Sequence, residues 1–250
     1  MTSDPIAALR ASHERLRSTV APLTPDEVRA PAYPSEWSIA QVLSHIGSGA
    51  EIMMLAVDAA PARVPPESNP PIWDIWNAKD ADAQVADGLA SDGALVARIE
   101  SLAGDADARF QVWSGEVDIA GLAAFRLFEH AVHTWDVVVA VQPGATLAPG
   151  AVEIMLPGLG GLVGFAAKPH GFSGRIHVTT VDPSDEYLLI LGETPSWSTW
   201  DGGPADATLR LPAEALVRLV YGRMDAGNTP VGVEAEGIGL DDLRAFFPGF

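Results

Sequence analysis

The sequence predicts a two-domain α+β protein, in which an antiparallel four-helix bundle precedes a smaller α+β domain. Apolar side chains recur at helical spacing in four long segments of the first part of the chain. Beyond residue 145 the chain changes to short runs rich in Val, Ile, Leu and Thr, which are typical of strands. With 250 residues there is room for both domains, and we place them at residues 1–144 and 145–250.

The first two bundle helices have clear starts or ends in the sequence. The first is predicted over residues 4–21, and Pro22 ends it. The second begins after Ser38, an N-cap residue type that can form a capping box with Gln41. One apolar face of the second helix is then formed by Ile39, Val42, Leu43, Ile46, Ala50, Met53, Met54 and Val57.

Two glycines interrupt this second helix. Gly47 and Gly49 each weaken a helix by up to ~1 kcal/mol relative to alanine. We interpret them as positions where another group approaches the backbone closely, because only glycine leaves that room.

The third and fourth helices are predicted over roughly residues 80–103 and 119–141, and a Pro-Gly pair ends the fourth. The proline-rich residues 61–77, with two tryptophans, are predicted to form a long loop over the bundle. The run "VWSGEVDI" at residues 112–119 is predicted to be a short irregular or extended link.

The second domain is predicted to contain strands and helices in mixed order. Helices are predicted at residues 212–223, where Pro212 suits a first helical turn, and at residues 240–247. The strand-like runs are "GRIHVTTV", "EYLLILG", "ATLRL" and "PVGVEAEG".

Charge and cysteine content exclude several classes of function. A formal net charge of −18 repels phosphate backbones and anionic membranes, so nucleic acid and membrane surfaces are not expected partners. The chain has no cysteine, which excludes disulfides, thiolate metal sites and a cysteine nucleophile. Any metal must therefore be bound by His, Asp or Glu, and any thiol must arrive with a small molecule.

No targeting or membrane segment is expected. The N-terminal run "MTSDPIAALRASHERL" lacks the apolar core of a signal peptide. The most apolar later stretch, "LPGLGGLVGFAA", is too short and too glycine-rich to span a bilayer. We therefore expect a cytoplasmic protein.

Glu129 and His133 are the first candidates for metal ligands. They lie four residues apart, hence one turn apart on one face of the fourth helix, where a carboxylate and an imidazole can reach one cation. The alternative is a solvated helix edge. On such an edge, Arg126–Glu129 and His133–Asp136 would be surface ion pairs worth only ~0.5 kcal/mol each.

His45, on the second helix near its two glycines, is the leading candidate for a third ligand; the alternative is an exposed or core-edge histidine. Two imidazoles and one carboxylate suit zinc with an open position, the arrangement of catalytic sites, although non-haem iron or nickel also use such sets. His130 points roughly 100° away from Glu129 on the helix and is left out. Structural or surface roles are predicted for the remaining histidines, His13, His170 and His177.

Four segments resemble the mycothiol-dependent maleylpyruvate isomerase family, which belongs to the DinB-like bundle superfamily. "PSEWSIAQVLSHI" is similar to the segment that opens the family's second helix, and "RLFEHAVHTWDVVVA" to its R-L-x-E-x-x-x-H-x-W-D segment. The runs "ADATLRLPAEALVRLVYGRM" and "FPGF" are similar to the family's second domain. The resemblance implies that His45, Glu129 and His133 bind a divalent metal, usually zinc, and act as the catalytic centre.

The resemblance also implies a cofactor and a reaction. The thiol would be mycothiol, a small thiol of actinobacteria, and the metal would deliver it as a thiolate to an electrophilic carbon. Isomerisation of maleylpyruvate or plain S-transfer would follow. Residues 60–118, which help to shape the substrate site, match the family poorly. A metal-dependent hydrolase and a non-catalytic binding or regulatory module remain alternatives. The expected partners are a small-molecule substrate and a thiol. The protein is expected to be a monomer or homodimer.

Further roles follow from the resemblance. Arg126 and Asp136 would orient Glu129 and His133, or only pair along the helix face. Arg126 and Arg223 are also candidate substrate-binding residues. Arg223 would pair with a substrate carboxylate, or else complement a helix C-terminus. Four tryptophans predicted in loops would pin those loops to the bundle or wall the pocket: Trp73, Trp76, Trp197 and Trp200.

Overall fold

The computed structural model describes residues 3–33, 36–58, 70–112 and 115–249. Its internal contacts divide the chain into two units, Met1–Ala145 and Thr146–Phe250. The first unit is helical and the second contains a five-stranded sheet, which confirms the α+β fold class.

The helical unit contains the four long helices that the sequence predicts, with short elements between them. Each of three long helices begins at an aspartate N-cap whose carboxylate accepts a hydrogen bond from the first turn: Asp4, Asp80 and Asp118. The elements in chain order are α1 (Pro5–Val20), α2 (Pro25–Val28), α3 (Ile39–Asp58), α4 (Pro70–Asn77), α5 (Ala81–Ser101), β1 (Phe110–Val112), β2 (Gly115–Val117) and α6 (Ile119–Val141).

The predicted capping box starts α3. The backbone N–H of Ser38 donates to Gln41 Oε1 at 2.8 Å, and the backbone N–H of Gln41 donates to Ser38 Oγ at 3.2 Å. Just before it, the backbone N–H of Ala32 donates to the carbonyl of Trp37 at 2.8 Å. The backbone of Trp37 is therefore hydrogen-bonded to Ala32 just before α3 begins.

Gly47 and Gly88 allow α3 and α5 to cross closely. A Cβ on Gly47 would lie 2.7 Å from the Cα of Gly88 and 2.5 Å from the indole of Trp76. A Cβ on Gly88 would lie 2.5 Å from the carbonyl oxygen of Leu43. Real side chains do not fit at such distances, so the expected close approach at Gly47 is made by α5 and by Trp76.

The loop predicted over residues 61–77 is wrong for its last part. Residues 70–77 form α4, and residues 61–69 lie outside the described chain. Trp76 on α4 is 3 % exposed, and its Nε1–H donates to Glu51 Oε2 at 2.6 Å. Burial of this large ring against α3 stabilises a short helix that its two starting prolines do not disfavour. Within the link predicted at residues 112–119, Val112 ends β1 and residues 115–117 form β2, which pairs with β1 in the antiparallel sense.

The second unit contains a five-stranded sheet that α7 and α8 contact. Its strand order is β5–β4–β3–β6–β7, in which β3 and β6 are parallel and the other neighbours antiparallel. Alternate β3 side chains are buried, Ile176 and Val178 among them. Its elements are α7 (Pro149–Ala166), β3 (Gly174–Val181), β4 (Asp185–Leu191), β5 (Ser196–Thr199), β6 (Ala207–Pro212), α8 (Ala213–Val220), β7 (Glu234–Glu236) and α9 (Leu240–Phe246).

Two of these elements, α7 and β5, were not predicted. Within α7, Pro157 and several glycines obscure the helical pattern. The helix nonetheless buries Val152, Met155 and Leu159 at helical spacing, and it packs against α8 and β5. Tertiary packing therefore outweighs the weak propensity of this segment.

By length and composition alone, α3 and α7 are apolar enough to cross a membrane. Half of the apolar window of α3 is buried inside the protein, and core helices of soluble proteins pass the same test. Since α3 forms the hydrophobic core together with residues of α1 and α6, we interpret it as a core helix.

Candidate metal centre

The structure brings His45, Glu129 and His133 together. His45 comes from α3, whereas Glu129 and His133 come from successive turns of α6. One possible ligand atom from each of the three lies within 4.8 Å of the others. Two distant segments thus present two imidazoles and one carboxylate to a common point.

Close contacts link the three side chains. His45 Nε2 lies 2.7 Å from Glu129 Oε1, and the carboxylate can only accept, so the imidazole donates. The rings of His45 and His133 have centroids 4.6 Å apart. The side chain of Glu129 is 47 % exposed and that of His45 is 31 % exposed, which leaves the group accessible to small molecules.

His133 is oriented by Asp136. Its Nδ1 lies 3.0 Å from Asp136 Oδ2, and donation from this nitrogen leaves Nε2 with a lone pair. Burial lowers the pKa of His133 below its usual value even though the Asp136 carboxylate acts in the opposite direction. A neutral imidazole with one defined lone pair is the form that binds a metal.

Glu129 is held in its ionised form from two sides. Burial opposes its ionisation, but the hydrogen bond from His45 and the positive charge of Arg126 outweigh burial and hold the pKa of Glu129 well below its usual value. Arg126 Nη1 lies 3.3 Å from Glu129 Oε2, the oxygen that His45 does not contact.

Arg126 is itself buried, with 1 % of its surface exposed. Its Nη2 donates to the carbonyl of Ile46 at 2.8 Å and to Asp92 Oδ1 at 3.0 Å. A Cβ on Gly49 would lie 3.0 Å from Nη1, so the second glycine of α3 leaves room for the guanidinium. This burial favours the orienting role predicted for Arg126 over direct contact with a substrate.

A second, fully buried group lies deeper in the bundle. His13 Nδ1 and His130 Nε2 each lie 2.8 Å from Asp92 Oδ2, and the ligand atoms of the three residues also lie within 4.8 Å of one another. His130 Nδ1 is 2.8 Å from the hydroxyl of Ser12. His130 therefore belongs to this buried group and not to the group of His45, Glu129 and His133. It is likewise absent from the metal ligands predicted from the sequence.

Asp92 is the residue of this region that sequence reasoning missed. It is 0 % exposed and lies on the buried face of α5, one turn before Leu95 and Val96. The sequence does contain one signal, an aspartate on the apolar face of a helix. A carboxylate is buried only where other groups bind it, so such a position indicates that partners exist. The remaining histidines also have acidic neighbours. His13 contacts Asp92, 79 residues along the chain, whereas His177 contacts Glu186, nine residues along on the next strand. His170 Nε2 lies 3.9 Å from Asp242 Oδ1.

The predicted tryptophans do not all lie in loops. Trp73 is exposed on α4. Trp197 lies on β5 and stacks on Tyr187, with ring centroids 4.5 Å apart. Trp200 stacks on His177, with ring centroids 4.1 Å apart. The aromatic side chain next to the metal candidates is Trp37, which received no role from the sequence. Its ring centroid lies 5.2 Å from that of His45 and 6.1 Å from that of His133.

Arg223 lies in the second unit, directly after α8. It is 6 % exposed, and its Nη1 donates to the carbonyl of Tyr221, the C-cap of that helix, at 2.9 Å. This contact is the one expected if Arg223 complements the helix C-terminus.

The protein is similar to known proteins in both sequence and structure. The family model for the mycothiol maleylpyruvate isomerase N-terminal domain matches residues 9–138. A crystal structure of the mycothiol-dependent maleylpyruvate isomerase matches with a TM-score of 0.66 and 14 % identity, over 95 % of this chain and 94 % of that one. A histidine-to-alanine mutant of that isomerase matches with a TM-score of 0.62 and 15 % identity, over 95 % and 94 %.

No curated protein sequence matches the chain. The family model nevertheless covers more than half of it, and the fold of the isomerase extends over both units. The chain therefore belongs to the mycothiol maleylpyruvate isomerase family.

Proposed function

We propose that the protein is a metal-dependent enzyme that uses a small-molecule thiol, as an isomerase or an S-transferase. One observation carries the proposal: His45, Glu129 and His133 present possible ligand atoms within 4.8 Å of one another, at a position open to solvent. Family membership supports a thiol such as mycothiol as the cosubstrate. The absence of cysteine from the chain is compatible with a thiol supplied from solution.

The residues present fit a divalent cation. Two imidazoles and one carboxylate are a ligand set of catalytic zinc sites, and three protein ligands leave a position for a further group. The buried group fits a catalytic ion less well, because His13, Asp92 and His130 are each at most 5 % exposed and leave a substrate no access to an open position. We therefore assign the ion, most simply zinc, to His45, Glu129 and His133.

The side chains around the ion prepare the ligands. When bound, zinc supplies Lewis-acid chemistry, which lowers the pKa of a coordinated thiol. Asp136 fixes the tautomer of His133, and Arg126 keeps Glu129 ionised and turned toward His45. The Trp37 ring packs beside both imidazoles, with centroids 5.2 Å and 6.1 Å away. These contacts hold the ligands in one geometry before a substrate arrives.

Arg223 remains a candidate for a substrate carboxylate, since an arginine can form two parallel hydrogen bonds with such a group. A role in substrate binding predicts that Arg223→Met raises KM for an anionic substrate more than it lowers kcat. A role restricted to the end of α8 predicts lower stability with unchanged kinetic constants.

A hydrolase on the same site is the second candidate, in which the open position activates water. A binding module without activity is the third. We also propose that the protein works in the cytoplasm as a monomer or homodimer, with a small-molecule substrate and a thiol as its partners. Its charge of −18 disfavours nucleic acid and anionic membranes.

Metal analysis and a thiol assay test the proposal. Purified wild-type protein should contain one divalent ion per chain, and His45→Ala should contain much less. The holo protein should isomerise maleylpyruvate only with mycothiol present, or consume mycothiol with a chlorinated electrophile. Turnover without a thiol would favour the hydrolase. Wild-type protein that binds no ion at this position would refute the catalytic proposal.

A further inference from the structure

We propose that Asp92 is a positioning residue for the metal-binding carboxylate, and that it acts on Glu129 through Arg126. The inference rests on the proposed function, because it concerns how the protein presents one ligand to the ion. It goes further by assigning a role to a buried group that no sequence motif identifies.

Arg126 connects two carboxylates that do not touch each other. Its Nη2 lies 3.0 Å from Asp92 Oδ1, and its Nη1 lies 3.3 Å from Glu129 Oε2. The guanidinium is planar and rigid, so the contacts of one nitrogen restrict where the other can lie. A third contact, from Nη2 to the carbonyl of Ile46 at 2.8 Å, ties the group to α3.

Asp92 is held firmly enough to act as the fixed end of this connection. Its second oxygen, Oδ2, is 2.8 Å from both His13 Nδ1 and His130 Nε2. These partners lie on α1 and α6, while Asp92 lies on α5. Three helices therefore converge on one carboxylate that is completely buried.

The two oxygens of Glu129 consequently have different roles. Arg126 occupies Oε2, so Oε1 is the oxygen that remains beside His45 Nε2, at 2.7 Å. Glu129 is thereby oriented to bind an ion through Oε1 alone. Without Asp92, the guanidinium would lose its buried counter-charge and could move toward Glu129, where it would compete with the cation.

The test compares zinc affinities by competition with a chromophoric chelator. Asp92→Asn preserves the shape of the side chain but removes its charge. Asp87→Asn, at an exposed ion pair on the same helix, is the matched control. We expect the first to bind zinc about 10- to 100-fold more weakly and the second to bind it as the wild type does. The absorption spectrum of bound Co(II) should change only in the Asp92 variant.

Gly49→Ala provides an independent variant. The new Cβ would lie 3.0 Å from Arg126 Nη1 and displace the guanidinium, whereas alanine itself favours the helix. Gly161→Ala on α7, where nothing lies within 4 Å of the new Cβ, is its control. We expect Gly49→Ala to weaken zinc binding by roughly 10-fold and the control to leave it unchanged.

A purely structural role for Asp92 would lower the thermal midpoint without changing the zinc affinity of the folded protein. That result overturns the inference. If Asp92→Asn fails to fold, Gly49→Ala decides instead, and a zinc affinity equal to that of the wild type in this variant also overturns the inference. Two ions per chain, one of them lost in Asp92→Asn, would also overturn it, because Asp92 would then be a ligand itself. Failure of the wild type to bind any ion overturns the proposed function instead, and this inference with it.

Discussion

His133 donates from Nδ1 to Asp136 Oδ2 at 3.0 Å, and the Asp136 side chain is completely buried. This pair predicts that Asp136→Asn weakens zinc binding by about 10- to 100-fold, because the neutral amide fixes the imidazole less strongly and makes it less basic. Chelator competition measures the change. Asp82→Asn, at an exposed site on α5, should bind zinc like the wild type. Equal affinity in Asp136→Asn would contradict an orienting role for Asp136.

The buried Asp92 group predicts a specific dependence of stability on pH. Burial alone would raise the pKa of Asp92, but His130, His13 and Arg126 outweigh it and hold the pKa well below the usual value. The unfolded chain therefore takes up a proton near pH ~3.9 that the folded protein does not. The free energy of unfolding must then fall as the pH drops through this region toward the folded pKa.

Asp92→Asn should accordingly be less stable than the wild type at pH 7, by about 3–5 kcal/mol, because Arg126 loses a buried partner. Its stability should also decline less between pH 5 and pH 3, since the carboxylate that contributes to the decline has been removed. Urea unfolding at several pH values measures both effects. If the free energy of unfolding fell equally in the two proteins between pH 5 and pH 3, Asp92 would contribute nothing to the loss of stability in acid.

The close crossing of α3 and α5 predicts that Gly47→Ala is destabilising. Alanine improves helix propensity by up to ~1 kcal/mol, but its Cβ would lie 2.5 Å from the Trp76 ring and 2.7 Å from the Gly88 backbone. We expect a net loss of about 1–3 kcal/mol in the free energy of unfolding. Gly161→Ala should be neutral or stabilising, and equal effects of the two substitutions would mean that the crossing tolerates a side chain.

The position of Trp37 predicts a spectroscopic signal for metal binding. Its ring centroid lies 5.2 Å and 6.1 Å from those of the two imidazoles, so a bound Co(II) ion should quench its fluorescence. Trp37→Phe should remove most of the quenching without abolishing binding. Trp73→Phe, which changes an exposed ring on α4, should retain it. Full quenching in Trp37→Phe would place the ion elsewhere.

Much of the helical unit could be predicted because local signals agree with its packing. The predicted span 119–141 coincides with α6, and the Ser38–Gln41 capping box forms as expected. In α7, by contrast, Pro157 and the glycines contradict the helix that packing imposes. The loop prediction was wrong at residues 70–77 for a similar reason. Burial of Trp76 against α3, which stabilises α4, is a tertiary effect.

The candidate site shows the same division. Glu129 and His133 follow from spacing on one helix, but their meeting with His45 depends on which helix faces pack together. The glycines beside His45 make it a candidate, and the family resemblance then supports it. The links of Asp92 to His13 and His130 span 79 and 38 residues of sequence. No local pattern encodes such partners, although an aspartate on an apolar helix face indicates that some must exist.

The hydrogen bond between His45 and Glu129 joins α3 to α6 at the ligand set, so folding of the bundle assembles the donors through the protein's own contacts. A divalent ion that binds at this position has to displace that hydrogen bond and take up the lone pairs of both groups in its place. Loading with metal would thus be a late and reversible step, governed by the supply of metal and separate from the assembly of the fold.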